Sequence, residues 1–276
     1  MSIFEDTSII FITYFPKIDL LKKNIKAFKD FKIKIIDASP FEFNISDKIN
    51  ITNNIEIIKT ENHGQGHAHN LGIKNVDTKF GVYIDIDAEI SLNEIKKIYR
   101  YTKFIKNFSI LVPDSNGKNK DKKISEIKDC EASILFFNIS SLKNNKEKFD
   151  ENIFLYFEEL DFFSRLNKTK NKVLLLPKIN VIHKQGTSSN SEIITNLKNL
   201  QQWHYLWSMY YVKKKIFNTF HAFKIVSPLI IKDIIKIIFY FTIFKFNLIS
   251  NRFSRLSGVT NAMLGKKSFK RPVKNV

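Results

Sequence analysis

Short apolar segments alternate with segments of helical spacing in the first part of the chain, and this alternation constrains the fold more than any other feature. The apolar segments are rich in β-branched residues and have the length of buried strands. Strands that alternate with helices predict an α/β fold, in which a mostly parallel sheet is flanked by helices. The predicted strands are Ile9–Tyr14, Ile33–Ile36, Ile55–Lys59, Phe80–Ile84, Ala132–Asn138 and Val173–Pro177, and the predicted helices are Leu20–Phe28, Gly64–Lys74 and Leu92–Phe104, the last with Ser91 as its N-cap.

Polar side chains stand where three of these predicted strands end. Tyr14, Asp37 and Asp85 each lie at, or directly after, the last residue of a strand. In a parallel sheet of this kind, ligands bind beyond the carboxyl ends of the strands. We therefore expect these three side chains on one edge of the sheet, next to a bound ligand.

Two aspartates follow the strand Phe80–Ile84 with one residue between them. Positions two apart in an extended chain point to the same side, so Asp85 and Asp87 can present both carboxylates together. Carboxylate oxygens suit Mg²⁺ or Mn²⁺, and such ions also take phosphate oxygens from a substrate. A solvated turn without an ion is the alternative, because acidic pairs are common in loops.

A turn of small residues precedes that strand. The segment from Glu61 to Gly72 holds three of the eight glycines and three of the six histidines. Glycine allows close approach of the backbone to a ligand, but the Gly-Lys-Ser/Thr ending of a P-loop is missing. A zinc site on His63, His67 and His69 is disfavoured, because no cysteine or second histidine pair accompanies them. Gly72 has a structural interpretation too, since it would let a helix pack closely on the sheet.

A second acidic cluster lies among aromatic residues in the segment Phe149–Leu166. Bulky apolar residues flank Glu159 and Asp161, and desolvation raises the pKa of a carboxyl group, as suits a general base. The alternative is the start of an amphipathic helix, where Glu158 and Glu159 would stabilise the helix dipole. His183, at the end of a later apolar run, is either structural or a third metal ligand facing the acidic edge.

The net charge of +18 predicts a surface that attracts anionic partners, namely nucleic acid, anionic lipid or phosphorylated substrates. Cys130 is the only cysteine, so an internal disulfide is excluded and a reducing compartment is compatible. Glu5 and Asp6 precede the apolar run Ile9–Ile12, which is too short for the core of a signal peptide. We therefore expect a cytoplasmic protein.

Taken in order, these motifs resemble those of family 2 glycosyltransferases with the GT-A fold, and are most similar to bacterial rhamnosyltransferase-like members. The resemblance covers residues 9–186. Ala38 stands where the family has Asn, and Glu159 stands where Asp is commoner. The matching positions are Thr13-Tyr14-Phe15-Pro16 and Ile36-Asp37-Ala38-Ser39 after the first two strands, Asn62, Gly64, Gly66, Ala68, Asn70 and Gly72 in the small-residue turn, Asp85 and Asp87 in an Asp-x-Asp pair, Phe149 to Arg165 in the acidic run, and His183.

The resemblance implies an inverting enzyme that moves a sugar from a nucleoside-diphosphate sugar to a glycan or lipid-linked acceptor, in cell envelope polysaccharide biosynthesis. It implies that Asp85, Asp87 and His183 hold a divalent metal, Mg²⁺ or Mn²⁺, on the donor diphosphate. Glu159 would accept the proton of the acceptor hydroxyl, while Asp161 and Glu158 orient the acceptor or the base. The implied donor-binding residues are Thr13, Tyr14, Asp37, Asn62, Gly64, Asn70 and Asp85.

The composition changes after Gly186, so we expect a nucleotide-sugar-binding catalytic domain over residues 1–190 and a basic, aromatic-rich helical region over 191–276. In that region Trp203–Tyr211 precedes Lys213–Lys215, a pattern that suits a membrane interface. Charged residues interrupt the apolar stretch Pro228–Leu248, which therefore lacks the roughly 20 apolar residues of a spanning helix. We expect helices that lie on the inner face of the cell membrane and bind anionic lipid. A cap on the catalytic domain and the interface of a homo-oligomer are the alternatives.

Three other functions would each explain part of the sequence. A nucleotidyltransferase of similar fold also uses paired carboxylates and a metal, but its glycine-rich, basic loop after the first strand has no counterpart in Thr13–Lys17. A nucleic-acid-binding protein would explain the charge, with Trp203–Lys215 as its candidate surface, but not the acidic clusters; we expect no nucleic acid partner. A catalytically inactive scaffold is disfavoured, since Asp85, Asp87 and Glu159 are all present. The sugar and the acceptor, which we expect near Cys130–Ser133, cannot be read from the sequence.

Overall fold

The computed structural model describes residues 2–114, 123–129, 132–144, 147–184, 186, 194–195 and 197–274. Part of the lysine-rich loop after Asp114, Cys130 itself and most of the polar stretch after Gly186 therefore lie outside the described residues. The chain divides into two compact units. The first comprises Met1–His63, His67–Phe149 and Phe162–Asn190, and the second comprises Gly64–Gly66, Asp150–Asp161 and Ser191–Val276.

The first unit is built on a mostly parallel sheet. Within the described residues the strand order is β3-β2-β1-β4-β8-β6-β9-β7, and only β8 and β7 run against the others. A separate antiparallel pair joins β5 to β10. The strands are β1 Thr7–Thr13, β2 Lys32–Asp37, β3 Ile55–Lys59, β4 Phe80–Ile84, β5 Ala88–Glu89, β6 Phe108–Pro113, β7 Ser125–Glu126, β8 Ile134–Asn138, β9 Lys172–Leu176 and β10 Ile182–His183.

Helices cover both faces of this sheet because its strands are apolar on both sides. Ile9 and Phe11 of β1 pack into one buried cluster with α2 and α4, whereas Ile10 between them packs into a second cluster with α3, α5 and α6. The helices are α1 Ile3–Asp6, α2 Ile18–Ala27, α3 Gln65–Asn75, α4 Leu92–Tyr101, α5 Ile139–Asn144 and α6 Glu158–Leu166.

The predicted α/β fold is confirmed. The strands Ile55–Lys59 and Phe80–Ile84 have the predicted bounds, and the Ser91 hydroxyl caps α4 by accepting a hydrogen bond from the Glu94 amide. The predicted close packing at Gly72 is present as well, because a Cβ there would lie 2.8 Å from Cγ2 of Ile10 in β1. The strand β6 was not predicted, and α4 ends three residues earlier than its pattern indicated.

The second unit consists mainly of three long helices, and a helical region was predicted for the basic, aromatic-rich residues 191–276. They are α7 Leu197–Ile216, α8 Thr219–Thr242 and α9 Phe246–Met263, and a short pair, β11 Ile194–Thr195 with β12 Val273–Lys274, accompanies them. Trp203 and Trp207 of α7 form the centre of the unit's buried cluster, together with Ala222 and Val226 of α8 and Val259 of α9. Over the described ranges, no helix has both the length and the apolar character needed to cross a bilayer.

Candidate functional site

Three predicted metal ligands meet in the first unit. One ligand atom each from Asp85, Asp87 and His183 lies within 4.8 Å of the other two. Nε2 of His183 is 3.2 Å from Oδ1 of Asp87 and 3.6 Å from Oδ2 of Asp85. Asp87 is buried, whereas Asp85 and His183 are partly exposed. Two carboxylates and an imidazole at this spacing fit a divalent cation such as Mn²⁺ or Mg²⁺.

The pairing of β5 with β10 brings the histidine to the aspartates. His183 lies opposite Ala88 in this antiparallel pair, and the amide of Lys184 donates a hydrogen bond of 3.1 Å to the carbonyl of Asp87. The pair follows directly on the turn that contains both aspartates, where the Ala88 amide donates to the Asp85 carbonyl. A residue from late in the chain is thereby fixed beside the acidic pair.

Neighbouring groups orient Asp85 and set its protonation. The Tyr83 hydroxyl donates a hydrogen bond to Oδ1 of Asp85. Burial raises the pKa of the Asp85 carboxyl group, repulsion from Asp87 raises it further, and Tyr83 and His183 oppose the shift. A carboxylate held beside a second carboxylate in this way favours a cation that neutralises both.

Asp37, a predicted donor-binding residue, is fully buried at the carboxyl end of β2. Its Oδ1 accepts hydrogen bonds from the Thr13 hydroxyl at 3.0 Å and from the amide and hydroxyl of Ser39, and its Oδ2 pairs with Lys59 at 2.7 Å. Both oxygens are thus engaged within the protein. The network joins the ends of β1, β2 and β3, as expected for one edge of a parallel sheet.

The other predicted donor-binding residues are divided between the two units. In the first unit, burial raises the pKa of the Tyr14 hydroxyl, and a hydrogen bond with the Asn62 side chain opposes the shift. The side-chain amide of Asn70 both donates a hydrogen bond to the Phe149 carbonyl and accepts one from the Phe149 amide, so it supports the backbone at that residue.

The predicted donor-binding residue Gly64 belongs to the second unit. Glycine is required there because φ is +107° and because a Cβ atom would lie 2.5 Å from the Phe154 carbonyl oxygen.

The three predicted catalytic acids lie in the first turn of α6, in the second unit. Glu158 and Asp161 are buried and Glu159 is partly exposed. Oδ1 of Asp161 pairs with Lys215 of α7 at 2.8 Å. Tyr156 and Phe157, just before the helix, both have positive φ, a conformation that costs bulky residues about 1–2 kcal/mol each. The catalytic roles of these acids stay predictions.

The three clustered histidines have separate environments. His69 is buried and stacks on Phe149 with ring centroids 4.7 Å apart, and burial lowers its pKa to about 3. His63 and His67 contact each other edge to face. Among the described residues, metal-binding geometry is met by the Asp85–Asp87–His183 group and by no group that contains these histidines.

Two residues of the site were not predicted from the sequence. Tyr83 is in β4, two positions before Asp85. Side chains two positions apart in an extended chain point to the same side, so the sequence could have indicated this contact. Lys59, at the end of β3, forms an ion pair with Asp37. Apart from its position at the end of a strand, nothing in the sequence indicated that it would contact a site residue.

No protein-family model matches the sequence, and no curated protein matches it in sequence. Solved structures do match the fold. The mannosyltransferase PcManGT from Pyrobaculum calidifontis, in complex with GDP-Man and Mn²⁺, aligns over 95% of this chain and 88% of its own, with 8% identity and a TM-score of 0.56. TarS 1-349 of S. aureus, in complex with UDP-GlcNAc, aligns over 95% and 92%, with 14% identity and a TM-score of 0.53.

The longer TarS chain of S. aureus aligns over 81% of this chain, with 16% identity and a TM-score of 0.52, and the present chain spans 42% of its length. At these identities the likeness concerns the fold, and the fold is that of GT-A glycosyltransferases.

Proposed function

We propose that this protein is an inverting glycosyltransferase that uses a nucleoside-diphosphate sugar and a divalent metal. The observation that carries the proposal is the Asp85–Asp87–His183 group at the carboxyl edge of a GT-A-type sheet. Ligands of parallel α/β sheets bind at this edge. The sequence motifs that resemble family 2 glycosyltransferases, and their rhamnosyltransferase-like members, support the same assignment.

The three clustered side chains fit a divalent ion, either Mg²⁺ or Mn²⁺. When bound, such an ion would supply positive charge to the diphosphate that leaves the sugar. Three residues of the chain would hold it: Asp85 and Asp87 would provide carboxylate oxygens, and His183 would provide an imidazole nitrogen. The GDP-Man and Mn²⁺ of the mannosyltransferase structure support this combination of donor and metal.

For the donor, we propose that Thr13, Tyr14 and Asn62 lie beside the nucleotide. Because Asp37 is buried and both its oxygens are engaged, we propose that it acts by holding the edge formed by Thr13, Ser39 and Lys59. Gly64 and Asn70 would shape the backbone of the adjoining turn. The UDP-GlcNAc bound to TarS 1-349 supports a nucleoside-diphosphate sugar as the class of donor.

For the acceptor side, we propose Glu159 as the general base, with Glu158 and Asp161 as positioning residues. Glu159 is partly exposed, whereas Glu158 and Asp161 are buried, and this difference supports Glu159 as the residue that meets the acceptor. Direct displacement at the sugar carbon would invert its configuration. A glycan or a lipid-linked acceptor of the cell envelope fits the further proposal that the protein works at the inner face of the cell membrane.

The test is a screen of the purified protein against nucleotide sugars, with Mn²⁺, Mg²⁺ or a chelator, scored by release of nucleoside diphosphate in the presence of acceptor extracts. We expect one donor class to turn over, and turnover to require the metal. Asp87→Ala should abolish turnover, while Glu159→Gln should lower it by about a hundredfold or more and leave donor binding intact. Wild-type rates in the Asp87 variant would refute the metal-assisted reaction.

A further inference from the structure

One lysine of α7 contacts both ends of the acidic segment Asp150–Asp161. Nζ of Lys215 donates a hydrogen bond of 2.7 Å to Oδ2 of Asp150. The same nitrogen forms an ion pair with Oδ1 of Asp161, at 2.8 Å. A single ammonium group of the second unit therefore joins the beginning of this segment to its end, and we call this arrangement the Lys215 bridge.

The segment carries the proposed general base directly after an unusual stretch of backbone. Tyr156 and Phe157 are consecutive residues in the left-handed region, with φ of 68° and 66°. Bulky side chains keep this conformation only where the surrounding structure holds it. α6 begins at the next residue, and its first turn contains Glu159. The direction of the Glu159 carboxylate therefore depends on the contacts that hold the segment.

α7 supplies such contacts from one side of the helix. The Ser208 hydroxyl donates a hydrogen bond of 2.8 Å to the carbonyl of Leu155, the residue before the two with positive φ. Val212, one turn later, is buried against Leu160 of α6. Lys215 follows after three more residues, and side chains at spacings of four and three lie on the same face of a helix. The Lys215 bridge is thus the last of three contacts that α7 makes with the segment.

The charge of the ammonium group keeps the two ends of the segment together. The side chains of Asp150 and Asp161 are only 12% and 1% exposed, and both carboxylates lie against one nitrogen atom. Carboxylates so close together repel each other, and poor hydration strengthens the repulsion. Burial raises the pKa of Asp150, but hydrogen bonds from Lys215 and Asn152 outweigh burial and lower the pKa to about 2. Without the ammonium group, repulsion would push the two ends apart.

A tyrosine supports the same contact. The Tyr211 hydroxyl donates a hydrogen bond of 3.0 Å to Oδ2 of Asp150, the oxygen that also accepts from Lys215. Exposed ion pairs between long side chains contribute little to a structure, but this pair has a buried carboxylate and a second donor on the same oxygen. The lysine is therefore engaged inside the unit, and its contacts differ from those of a surface cation that waits for an anionic partner.

We propose that Lys215 is a positioning residue for sugar transfer: by joining Asp150 to Asp161 it fixes the first turn of α6 and with it the carboxylate of Glu159. The inference rests on the proposed role of Glu159 as general base. It goes beyond that role because it assigns part of the reaction geometry to α7, which follows the residues 9–186 that the family resemblance covers. Loss of the Lys215 bridge should slow the transfer step without weakening donor binding.

The first test compares steady-state kinetics of full-length variants with a nucleotide sugar that the wild type turns over. Lys215→Met should lower kcat by about tenfold or more and leave the Kd of the nucleoside diphosphate within about twofold. Lys215→Arg keeps a cation that reaches both carboxylates, and it should recover most of kcat. Lys22→Met removes the same charge from an exposed position of α2 and should have the kcat of the wild type.

A second variant keeps the test decisive if Lys215→Met does not fold. Asp150→Asn retains the shape of the side chain and an oxygen for Asn152, but it turns an amide group towards Lys215. This substitution breaks the same bridge without leaving a buried carboxylate unpaired at position 150. It should lower kcat by about fivefold, again with an unchanged Kd for the nucleoside diphosphate.

Hydrogen exchange of backbone amides gives a measurement that does not need turnover. In Lys215→Met and Asp150→Asn, the Asp161 amide, which donates to the Phe157 carbonyl, should exchange about tenfold faster than in the wild type. The amides of α9 should keep their wild-type rates, since the Lys215 bridge does not include that helix. Lys215→Arg should restore slow exchange at Asp161.

Two results would overturn the positioning role while the proposed function stands. One is wild-type kcat in Lys215→Met or Asp150→Asn, in an enzyme that Glu159→Gln inactivates. The other is faster exchange throughout α9 with no recovery in Lys215→Arg, which would show that Lys215 acts on the stability of the whole unit. If the wild type turns over no nucleotide sugar, the proposed function itself fails and the positioning role fails with it.

Discussion

Nε2 of His183 lies 3.2 Å from Oδ1 of Asp87, because a two-residue strand pair holds the histidine opposite Ala88. The pair connects a turn early in the chain to a segment that follows the last strand of the sheet. Removal of this histidine therefore tests the metal site without altering the sheet itself.

His183→Ala should weaken Mn²⁺ binding by more than about tenfold, because it removes one ligand of the set while leaving both carboxylates. Calorimetric titration of the purified protein with Mn²⁺ measures the effect. His221→Ala, at an exposed position of α8, is the control and should bind the ion as wild type does. Equal affinities of the two variants would exclude His183 as a ligand.

Tyr83→Phe should weaken Mn²⁺ binding by about tenfold although the tyrosine is not a ligand. Its hydroxyl donates to Oδ1 of Asp85 and so orients that carboxylate, and loss of such supporting contacts typically costs a metal site this much. Tyr101→Phe on α4 is a matched control. The two variants should have the same free energy of unfolding within about 0.5 kcal/mol, and a Tyr83 variant with wild-type affinity would show that Asp85 needs no such support.

Asp233→Ala should lower the free energy of unfolding by about 3–5 kcal/mol, because it leaves the partly buried guanidinium groups of Arg252 and Arg255 without their shared carboxylate. Urea titration followed by tryptophan fluorescence suits the measurement, since Trp203 and Trp207 lie in the core of the same unit. Asp19→Ala, at an exposed position of α2, should change the free energy by less than about 0.5 kcal/mol. Equal losses of unfolding free energy in the two variants would show that the ion pairs of Asp233 with Arg252 and Arg255 do not stabilise the unit.

Stability should fall as the pH is lowered from 6.5 towards 3, in part because of His69. Burial lowers the pKa of this imidazole from 6.5 to about 3, so in this window the unfolded chain binds a proton that the folded chain excludes. Each pH unit within the window costs about 1.4 kcal/mol for such a group. His69→Phe should flatten the dependence of the free energy of unfolding on pH by that slope, whereas His221→Phe should leave it unchanged; identical slopes in wild type and His69→Phe would refute the assignment.

Much of the fold could be predicted because the first four strands of the sheet are short segments rich in β-branched and other apolar residues, and they are separated by helical or turn segments. The strand Phe108–Pro113 escaped prediction, since Ser109 and Pro113 dilute its pattern. Ser109 is nevertheless buried, where its hydroxyl is 2.9 Å from that of Ser141. The order of strands depends on pairing between distant segments, and the placement of antiparallel β8 between β4 and β6 has no local signature.

The candidate metal ligands Asp85, Asp87 and His183 were grouped from residue type and from the family resemblance, but the local sequence did not show which contact would bring His183 to the aspartates. β5 and β10 are two residues long, too short for any periodicity to reveal, yet their pairing places His183. Burial was equally hidden. Nothing in the local sequence indicated that Asp37 is buried among Thr13, Ser39 and Lys59. The apolar neighbours of Glu159 and Asp161 predicted desolvation of both, but only Asp161 is buried and Glu159 is partly exposed.

The late position of β10 has a consequence for biosynthesis. Asp85 and Asp87 leave the ribosome well before His183, so a nascent chain carries two adjacent carboxylates without their imidazole. The proposed ligand set would be completed only when Ile182–His183 pairs with Ala88–Glu89. Acquisition of the cation would then mark the moment at which the whole sheet has been synthesised, and fragments that stop short of Ile182 would be left unloaded.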